Sequence, residues 1–289
     1  MKCNQCPRMC NVERSEKLGY CGANQDIKTA FIGLHKWEEP IISGETGSGA
    51  VFFSGCNLRC VFCQNYQLSH DDYGSVISKE ELVENMLQLQ QQGATNINLV
   101  TATHYANILP EIIINAKKQG LYIPIVYNCG GYESVESLKK LEGIVDVYLP
   151  DYKYSDMNLA QLLSSAKDYP IVALEAITEM KRQQANDVIE DGLMKKGVII
   201  RHLLLPNCLK NSRNVLNNII DNFGNETYVS LMSQYFPPKE FDKSLAFLNR
   251  RITKIEQNRL YDYFFSLNFI NGYVQQLSSA DKKYVPIWT

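Results

Sequence analysis

Short apolar runs and amphipathic segments alternate along most of this chain of 289 residues. A short apolar run bounded by polar or glycine residues is typical of a buried strand. We predict six such strands, within residues 50–54, 97–101, 123–128, 144–149, 197–206 and 227–232. The segments between them place apolar residues at helical spacing, which is the pattern of helices with one buried face.

Local start signals mark several of these helices. Ser78 to Glu81 and Thr253 to Glu256 each have the sequence of a capping box, and Pro170 suits the first turn of a helix. The predicted helices lie near residues 78–87, 106–118, 134–141, 170–180, 215–223 and 253–264.

Strand and helix alternate about six times, which favours the α/β class with a parallel sheet. No G-x-G-x-x-G or Walker sequence follows the first strand, so a nucleotide-phosphate fold has no support. We predict a full or partial (β/α) barrel. Catalytic residues of such barrels lie at the carboxyl ends of the strands.

Unusual residues follow the predicted strands and would meet at that rim. They are residues 56–63, 101–104 and 128–131, Asp151 with Lys153, Arg201, and residues 234–235. Taken singly, His104 is compatible with a structural histidine, and Asp151 with Lys153 is compatible with a solvated turn. Arg201 lies inside an apolar strand, where a guanidinium needs an anionic partner.

Composition narrows the possible partners. The chain is 45% hydrophobic, and 29 basic against 31 acidic residues give a net charge of -2. This balance supports neither nucleic acid nor an anionic membrane as the main partner. No apolar run approaches the ~20 residues of a spanning helix. No apolar stretch follows Met1, so we expect no secretory signal and a cytoplasmic protein.

The cysteines carry the strongest chemical signal. Cys56, Cys60 and Cys63 have the spacing C-x3-C-x2-C in the loop that leaves the first predicted strand. A four-iron cluster is normally closed by four cysteines. Three thiolates would leave one iron open to a small molecule, as a catalytic metal keeps an open position.

A second group of cysteines opens the chain. Cys3, Cys6, Cys10 and Cys21 read C-x2-C-x3-C-x10-C, within a segment that has little apolar material for a core. Four thiolates suit zinc, iron or a four-iron cluster, and the metal would supply folding energy. The remaining two of the nine cysteines, Cys129 and Cys208, are expected to be small buried hydrophobic residues.

The triad, with Phe62 before its last cysteine, resembles the signature of the radical S-adenosylmethionine (SAM) superfamily. The flanking Gly55-Cys56-Asn57-Leu58-Arg59-Cys60 and Cys63-Gln64-Asn65 resemble its pyruvate formate-lyase activating enzyme-like branch, and the N-terminal C-x2-C-x3-C resembles one subgroup of that branch. Further similarities lie within residues 100–104, 127–133, 201–206 and 248–251. The resemblance implies a partial (β/α)6 barrel of residues 26–289 with a cysteine-rich extension of residues 1–25.

The resemblance also implies a cofactor site. Cys56, Cys60 and Cys63 would hold a [4Fe–4S] cluster whose fourth iron binds the amino and carboxylate groups of SAM. One electron would cleave SAM and give a 5′-deoxyadenosyl radical, which takes hydrogen from the substrate. The residues that would contact SAM share positions with the family's cofactor-binding segments. They are Phe62 near the adenine, Thr101, Thr103 and His104 near the amino group, Asp151 and Lys153 near the ribose or carboxylate, Arg201 at the carboxylate, and Asn128.

Two departures from the family pattern leave the substrate open. The usual Gly-Gly-Glu segment is replaced by residues 101–104, and typical activating enzymes lack the segment Cys3–Cys21. The first hypothesis is hydrogen abstraction from a protein or peptide, with a reductant such as flavodoxin or ferredoxin. The alternatives are radical modification of a small molecule and a non-enzymatic electron carrier or redox sensor with two clusters.

Overall fold

In the computed structural model, which describes residues 2–281, ten strands join into one sheet. They are β1 (Ile27–His35), β2 (Ser48–Phe53), β3 (Ser75–Ile77), β4 (Ile97–Val100), β5 (Ile125–Cys129), β6 (Val147–Pro150), β7 (Val188–Glu190), β8 (Leu193–Leu203), β9 (Tyr228–Met232) and β10 (Gly272–Val274). The order is β10-β9-β8-β6-β5-β4-β2-β1-β3, with β7 paired beside β8.

The middle of this sheet is parallel. Every neighbouring pair from β2 through β4, β5, β6, β8 and β9 to β10 runs in the same direction. The six predicted strands and the α/β class are therefore confirmed. The short β10 adds a seventh parallel strand, and β1, β3 and β7 pair antiparallel at the margins.

The helices connect these strands. They are α1 (Pro40–Ser43), α2 (Tyr66–His70), α3 (Lys79–Gln91), α4 (Leu109–Lys118), α5 (Val135–Lys139), α6 (Met157–Ser164), α7 (Tyr169–Gln183), α8 (Leu209–Phe223) and α9 (Lys254–Ser266), with 3-10 turns at Thr103–Tyr105, Lys243–Asn249 and Leu277–Ser279. Both predicted capping boxes are present, at Ser78 and at Thr253. In the described part of the chain, no helix combines the length and apolar character needed to cross a bilayer.

Some predicted boundaries were wrong. The helix expected from residue 106 begins at Leu109, after a separate 3-10 turn, with Pro110 in its first turn. The helix expected over residues 134–141 is the shorter Val135–Lys139. Helix α6, which lies between two predicted elements, was not foreseen.

The sheet buries both of its faces, and the alternation of side chains decides what each face carries. On β5, Val126 packs with α1, whereas its neighbour Tyr127 joins the larger core on the other face. On β8, Ile199 likewise packs toward α1. Asn128 and Arg201 stand two residues further along these strands, so they share the face that α1 covers. This face becomes the floor of the candidate site.

Gly131, just after β5, supports a backbone contact that no other residue permits. Its φ is +77°, and a Cβ atom there would lie 2.2 Å from the carbonyl oxygen of Asp151. We predict that Gly131→Ala lowers the free energy of unfolding by about 3 kcal/mol, because left-handed strain and overpacking add.

Gly143 is the matched control. Its φ is +74°, and a Cβ atom there would meet nothing within 4 Å. Gly143→Ala should cost only the left-handed strain of about 1–2 kcal/mol. Urea unfolding of both variants measures the difference, and equal losses would show that the contact with Asp151 adjusts freely.

Candidate active site

The cysteine loop, residues 54–65, leaves β2 at Gly55, a position that accepts no other amino acid. Gly55 has a φ of +87°, and a Cβ atom there would lie 2.6 Å from the carbonyl oxygen of Cys21. That close approach lets the backbone N–H of Cys56 donate to the same oxygen at 2.9 Å. The cysteine loop and the N-terminal segment are therefore joined through their backbones, one cysteine to another.

The three thiols of this loop face one cavity of about 580 Å³. Cys60 is buried, and Cys56 and Cys63 are half-buried. The hydroxyl of Ser164, at the end of α6, donates to Cys60 Sγ at 3.0 Å, and the N–H of Leu58 donates to Cys56 Sγ at 3.4 Å. Hydrogen bonds to ligand sulfurs tune the potential of an iron–sulfur cluster.

Burial controls the protonation of these thiols. It raises the pKa of Cys56 to about 12 and that of Cys63 to about 11, with the neighbouring Cys60 adding to both shifts. The free thiols of Cys56 and Cys63 are therefore neutral, and a metal that binds them displaces their protons. Among residues 2–281, no three cysteine, histidine or carboxylate side chains are arranged to hold a metal ion. The ligand role of the triad stays a prediction.

Arg8 fixes the cysteine loop from the N-terminal side. Its guanidinium donates to the carbonyl oxygens of Asn57 and Ser164 at 2.7 Å each and to that of Ser165. It also stacks on the ring of Tyr20, 4.1 Å from the ring centre. One cation thus satisfies the carboxyl end of α6 and holds the loop that carries the triad.

The four N-terminal cysteines lie in the segment that contacts the cysteine loop through Cys21. Cys6 and Cys21 are buried, and burial raises the pKa of Cys6 to about 12. A Cβ atom on Gly19 would lie 3.3 Å from Cys21 Sγ and 3.6 Å from Cys10 Sγ, so both sulfurs flank this glycine. The thiol of Cys3 hydrogen-bonds to Cys10. The structure brings these cysteines together, and their metal remains a prediction.

A buried charge network forms the floor of the cavity. Arg201, on β8, donates from Nε to Asp151 Oδ1 at 2.8 Å, from Nη1 to Glu38 Oε2 at 3.2 Å and from Nη2 to Asn128 Oδ1 at 2.6 Å. Lys153 forms an ion pair with the other oxygen of Asp151. The predicted anionic partner of Arg201 is therefore Asp151, from the end of β6.

The charge network and its burial shift the pKa values of Asp151, Glu38 and Arg201. Burial alone would raise the pKa of Asp151, but Arg201 and Lys153 hold it below its usual range. Burial raises the pKa of Glu38 despite the nearby Arg201. Burial opposes the charge of Arg201, yet Asp151 and the adjacent glutamates raise its pKa further. The guanidinium stays charged at any physiological pH.

Glu38 was not predicted from the sequence, although it accepts hydrogen bonds from Arg201, from Asn98 Nδ2 at 3.0 Å and from Asn128 Nδ2 at 3.1 Å. It follows β1, a strand that was itself not predicted. The signal present in the sequence was the pair of adjacent carboxylates before Pro40, at the start of a helix.

Phe62 joins the cysteine loop, of which it is a part, to the aromatic core. Its ring meets those of Tyr154 and Tyr235 edge-on, with centroids 6.4 Å apart in both pairs. The next backbone N–H toward the N-terminus, that of Val61, donates to the carbonyl oxygen of Leu163 at 2.9 Å. Phe62 also lines the cavity, so its ring is held rigidly beside the triad.

Nine of the predicted site residues line this one cavity. They are Cys56, Cys60, Phe62, Cys63, Thr101, Asn128, Asp151, Lys153 and Arg201. The convergence that the strand order predicted is therefore present.

Thr103 and His104 require a correction, because neither lines the cavity. The Thr103 hydroxyl donates to the buried Glu133 at 2.6 Å, and His104 Nε2 bonds the carbonyl oxygen of Ser54 at 2.8 Å. Thr101 adopts a φ of +61°, which turns the chain into a 3-10 turn and directs the next side chains into the core.

His202 is a structural histidine on the opposite face of β8 from Arg201. Its ring is fully buried and bonds the carbonyl oxygen of Tyr152 and the hydroxyl of Ser212, each at 2.8 Å. Burial lowers the pKa of His202 to about 4. The ring therefore remains neutral in the folded chain at neutral pH.

A mostly parallel sheet with a cysteine loop after its first parallel strand is the arrangement that the sequence led us to expect, and comparison with known proteins identifies the family. The model of the radical SAM superfamily matches residues 50–194, half of the chain. The uncharacterized protein MJ0674 of Methanocaldococcus jannaschii is 30% identical over 261 residues, which cover 87% of this chain and 70% of that protein. This chain belongs to the radical SAM superfamily.

A second relative is the pyruvate formate-lyase-activating enzyme of Clostridium pasteurianum. It is 26% identical over 201 residues, or 66% of this chain and 77% of that enzyme. Membership of the superfamily implies an enzyme that uses an iron–sulfur cluster and SAM.

Solved structures support the fold alone. Native anSMEcpe with bound AdoMet and Cp18Cys peptide has a TM-score of 0.51 at 14% identity, covering 76% of this chain and 60% of that one. SuiB of Streptococcus suis has a TM-score of 0.50 at 13% identity, covering 81% of this chain and 50% of that one. The predicted partial barrel is confirmed.

We predict that Arg8→Lys lowers the free energy of unfolding by about 1–3 kcal/mol, because an ammonium cannot serve three carbonyl oxygens in the plane that a guanidinium spans. The exposed Arg259 gives the control, since Arg259→Lys should change stability by less than about 0.5 kcal/mol. Urea unfolding of the anaerobically purified proteins measures both. Similar small losses would mean that Arg8 is dispensable for the loop.

We predict that His202→Gln flattens the dependence of stability on pH. The unfolded histidine takes up a proton below pH ~6.5, whereas the folded one does so only near pH 4, so the wild type loses stability as pH falls through this window. The difference in slope should rise from about 0.7 kcal/mol per pH unit at pH 6.5 to about 1.2 kcal/mol per pH unit at pH 5. Unfolding curves at several pH values test this, and parallel profiles would contradict it.

Proposed function

We propose that Cys56, Cys60 and Cys63 hold a [4Fe–4S] cluster and that the chain abstracts hydrogen from a protein or peptide substrate, in the manner of glycyl-radical activating enzymes. When bound and reduced, such a cluster gives one electron to SAM and yields the 5′-deoxyadenosyl radical that attacks the substrate. The observation that carries the proposal is the single cavity, with three thiols on its rim and a buried charge network on its floor.

The protein's part is to bind and orient the cosubstrate. A guanidinium has five N–H donors, and the three bonds to Asp151, Glu38 and Asn128 leave two of them for a carboxylate. Because the same bonds fix the plane of Arg201, the guanidinium needs little reorganisation when a carboxylate arrives. Lys153, tied to Asp151, and the rigid ring of Phe62 complete the proposed cosubstrate site.

Part of the cavity wall is apolar, and such a wall would limit contact between a reactive intermediate and water. Apolar side chains alternate with the charged ones along its wall, among them Phe52, Leu58, Val100 and Met232. Phe52 and Leu58 are almost fully buried. A dry, shaped site protects a carbon radical from side reactions.

The choice of a protein or peptide substrate is supported by the similarity to the pyruvate formate-lyase-activating enzyme. A small-molecule substrate is the second candidate, because a further chamber of about 330 Å³ adjoins the main cavity. An electron carrier would need neither chamber nor the buried charges that line them.

We further propose that residues 1–25 form a distinct metal-binding segment, with a [4Fe–4S] cluster, iron or zinc at Cys3, Cys6, Cys10 and Cys21. The bond from the N–H of Cys56 to the carbonyl oxygen of Cys21 gives this segment a direct path to the triad. It would relay electrons from a reductant such as flavodoxin or ferredoxin, or hold the N-terminus over the barrel of residues 26–289.

We predict that Cys60→Ala abolishes 5′-deoxyadenosine formation and lowers iron by about four atoms per chain, because two thiolates hold a cubane poorly. Cys208→Ala is the control, since Cys208 is buried and lies outside both cysteine groups. It should retain iron and activity. Iron analysis and anaerobic assays with SAM and a reductant measure both, and retained cleavage in Cys60→Ala would refute the ligand assignment.

Cys6→Ala should instead lower stability or expression, since this segment has little core of its own. Wild-type metal content separates the possible metals: about eight irons indicate two cubanes, and about four irons with one zinc indicate a structural N-terminal site.

A further inference from the structure

The adjoining chamber lies between the start of α1 and strands β8, β9 and β10. It shares Trp37, Glu38, Arg201, Met232 and Gln234 with the main cavity, so the two spaces meet at the charge network. No cysteine of the triad and no part of Phe62 lines the chamber. Its volume of about 330 Å³ suits a small molecule or one side chain.

Glu39 lines this chamber and has a feature that no protein contact explains. The residue is only 8% exposed, and its Oε2 atom has no hydrogen-bond donor among the described residues. Its side chain does not cap α1, although Glu39 stands at the N-cap position. A buried carboxylate oxygen without a donor costs free energy and points to a missing partner.

The charges around Glu39 show what that partner carries. Three carboxyl groups, those of the buried Glu39 and of the partly buried Glu38 and Asp151, face two partly buried cations, Arg201 and Lys153. The ion pairs of these cations go to Asp151 and Glu38. Glu39 receives a hydrogen bond from the Ser230 hydroxyl but no ion pair in the described part of the chain. Glu39 is thus the member of the three that has no described cation as its partner, and an ammonium group would supply one.

We propose that this chamber binds an ammonium group of the substrate, with Glu39 as its charge partner and the ring of Tyr273 beside it. The substrate would be a primary amine or the lysine side chain of a peptide. This inference rests on the proposed function, since it concerns the compound that loses hydrogen. The ammonium of SAM is a poor alternative, because SAM bound at the triad would place its amino group at the cluster.

The test uses the oxidised, cluster-loaded full chain with SAM, so that no turnover occurs. Binding of n-pentylamine, 1-pentanol and Nα-acetyl-lysine methylamide is measured by calorimetry in the wild type, Glu39→Gln, Glu39→Asp and the exposed control Glu190→Gln. We expect the amine to bind at least tenfold more tightly than the alcohol in the wild type, Glu39→Asp and Glu190→Gln. In Glu39→Gln this preference should disappear, while SAM affinity stays within twofold.

Equal binding of amine and alcohol by the wild type would overturn the inference, and so would a Glu39→Gln variant that loses SAM affinity but keeps the amine preference. The wild-type comparison of amine with alcohol can overturn the inference even if Glu39→Gln folds poorly. Binding of the lysine derivative in addition to pentylamine would assign the ammonium to a peptide, and binding of pentylamine alone would assign it to a small amine.

A parallel assay separates this inference from the proposed function. 5′-Deoxyadenosine formation is measured in the reduced wild type with and without pentylamine. Amine preference without 5′-deoxyadenosine under either condition would leave the ammonium site standing and refute radical SAM cleavage. Formation of 5′-deoxyadenosine without amine preference would overturn the ammonium site and leave radical SAM cleavage standing.

Discussion

The guanidinium of Arg201 determines which side chains lie on the floor of the cavity, because its charge needs hydrogen-bond partners there. It stands on an apolar strand among fully buried neighbours, where an unpaired charge would cost several kcal/mol. Its partners come from three other places in the chain: Asp151 from the end of β6, Asn128 from β5 and Glu38 from the loop before α1. One buried cation therefore sets the mutual register of the parallel strands and the segment that covers their inner face.

A second constraint acts at the rim, where backbone carbonyls hold the cysteine loop. The loop has no strand or helix of its own, and Cys21, Leu163 and Arg8 hydrogen-bond to part of its backbone. Arg8 also satisfies the last carbonyls of α6. The triad is thus fixed by the N-terminal segment and by α6 together, which explains why a cysteine-rich extension can matter to a site formed by the barrel.

The parallel strands were predictable because each is a continuous apolar run, as burial on both faces requires. Strand β1 was missed although residues 30–34 form an apolar run, because it pairs antiparallel and precedes the repeated alternation of strand and helix. Glu38 was missed with it. Thr103 and His104 were misplaced for a different reason: a left-handed Thr101 leads the chain into a 3-10 turn, and neither composition nor spacing reveals a positive φ at a threonine. The contacts of Arg8 with Asn57, Ser164 and Ser165 join residues that are far apart in the chain, so no local sequence pattern indicates them.

The two chambers meet at Glu38 and Arg201, which line both. A ligand that alters the bonding of either residue in one chamber changes the electrostatic field in the other, because the surroundings are buried and screening is weak. A carboxylate drawn to Arg201 would weaken its hold on Glu38 and leave more negative charge facing the adjoining chamber. An ammonium group there would in turn favour the carboxylate at Arg201. Such reciprocal coupling typically amounts to about 1–3 kcal/mol. It would favour binding of both ligands before an electron is transferred to SAM.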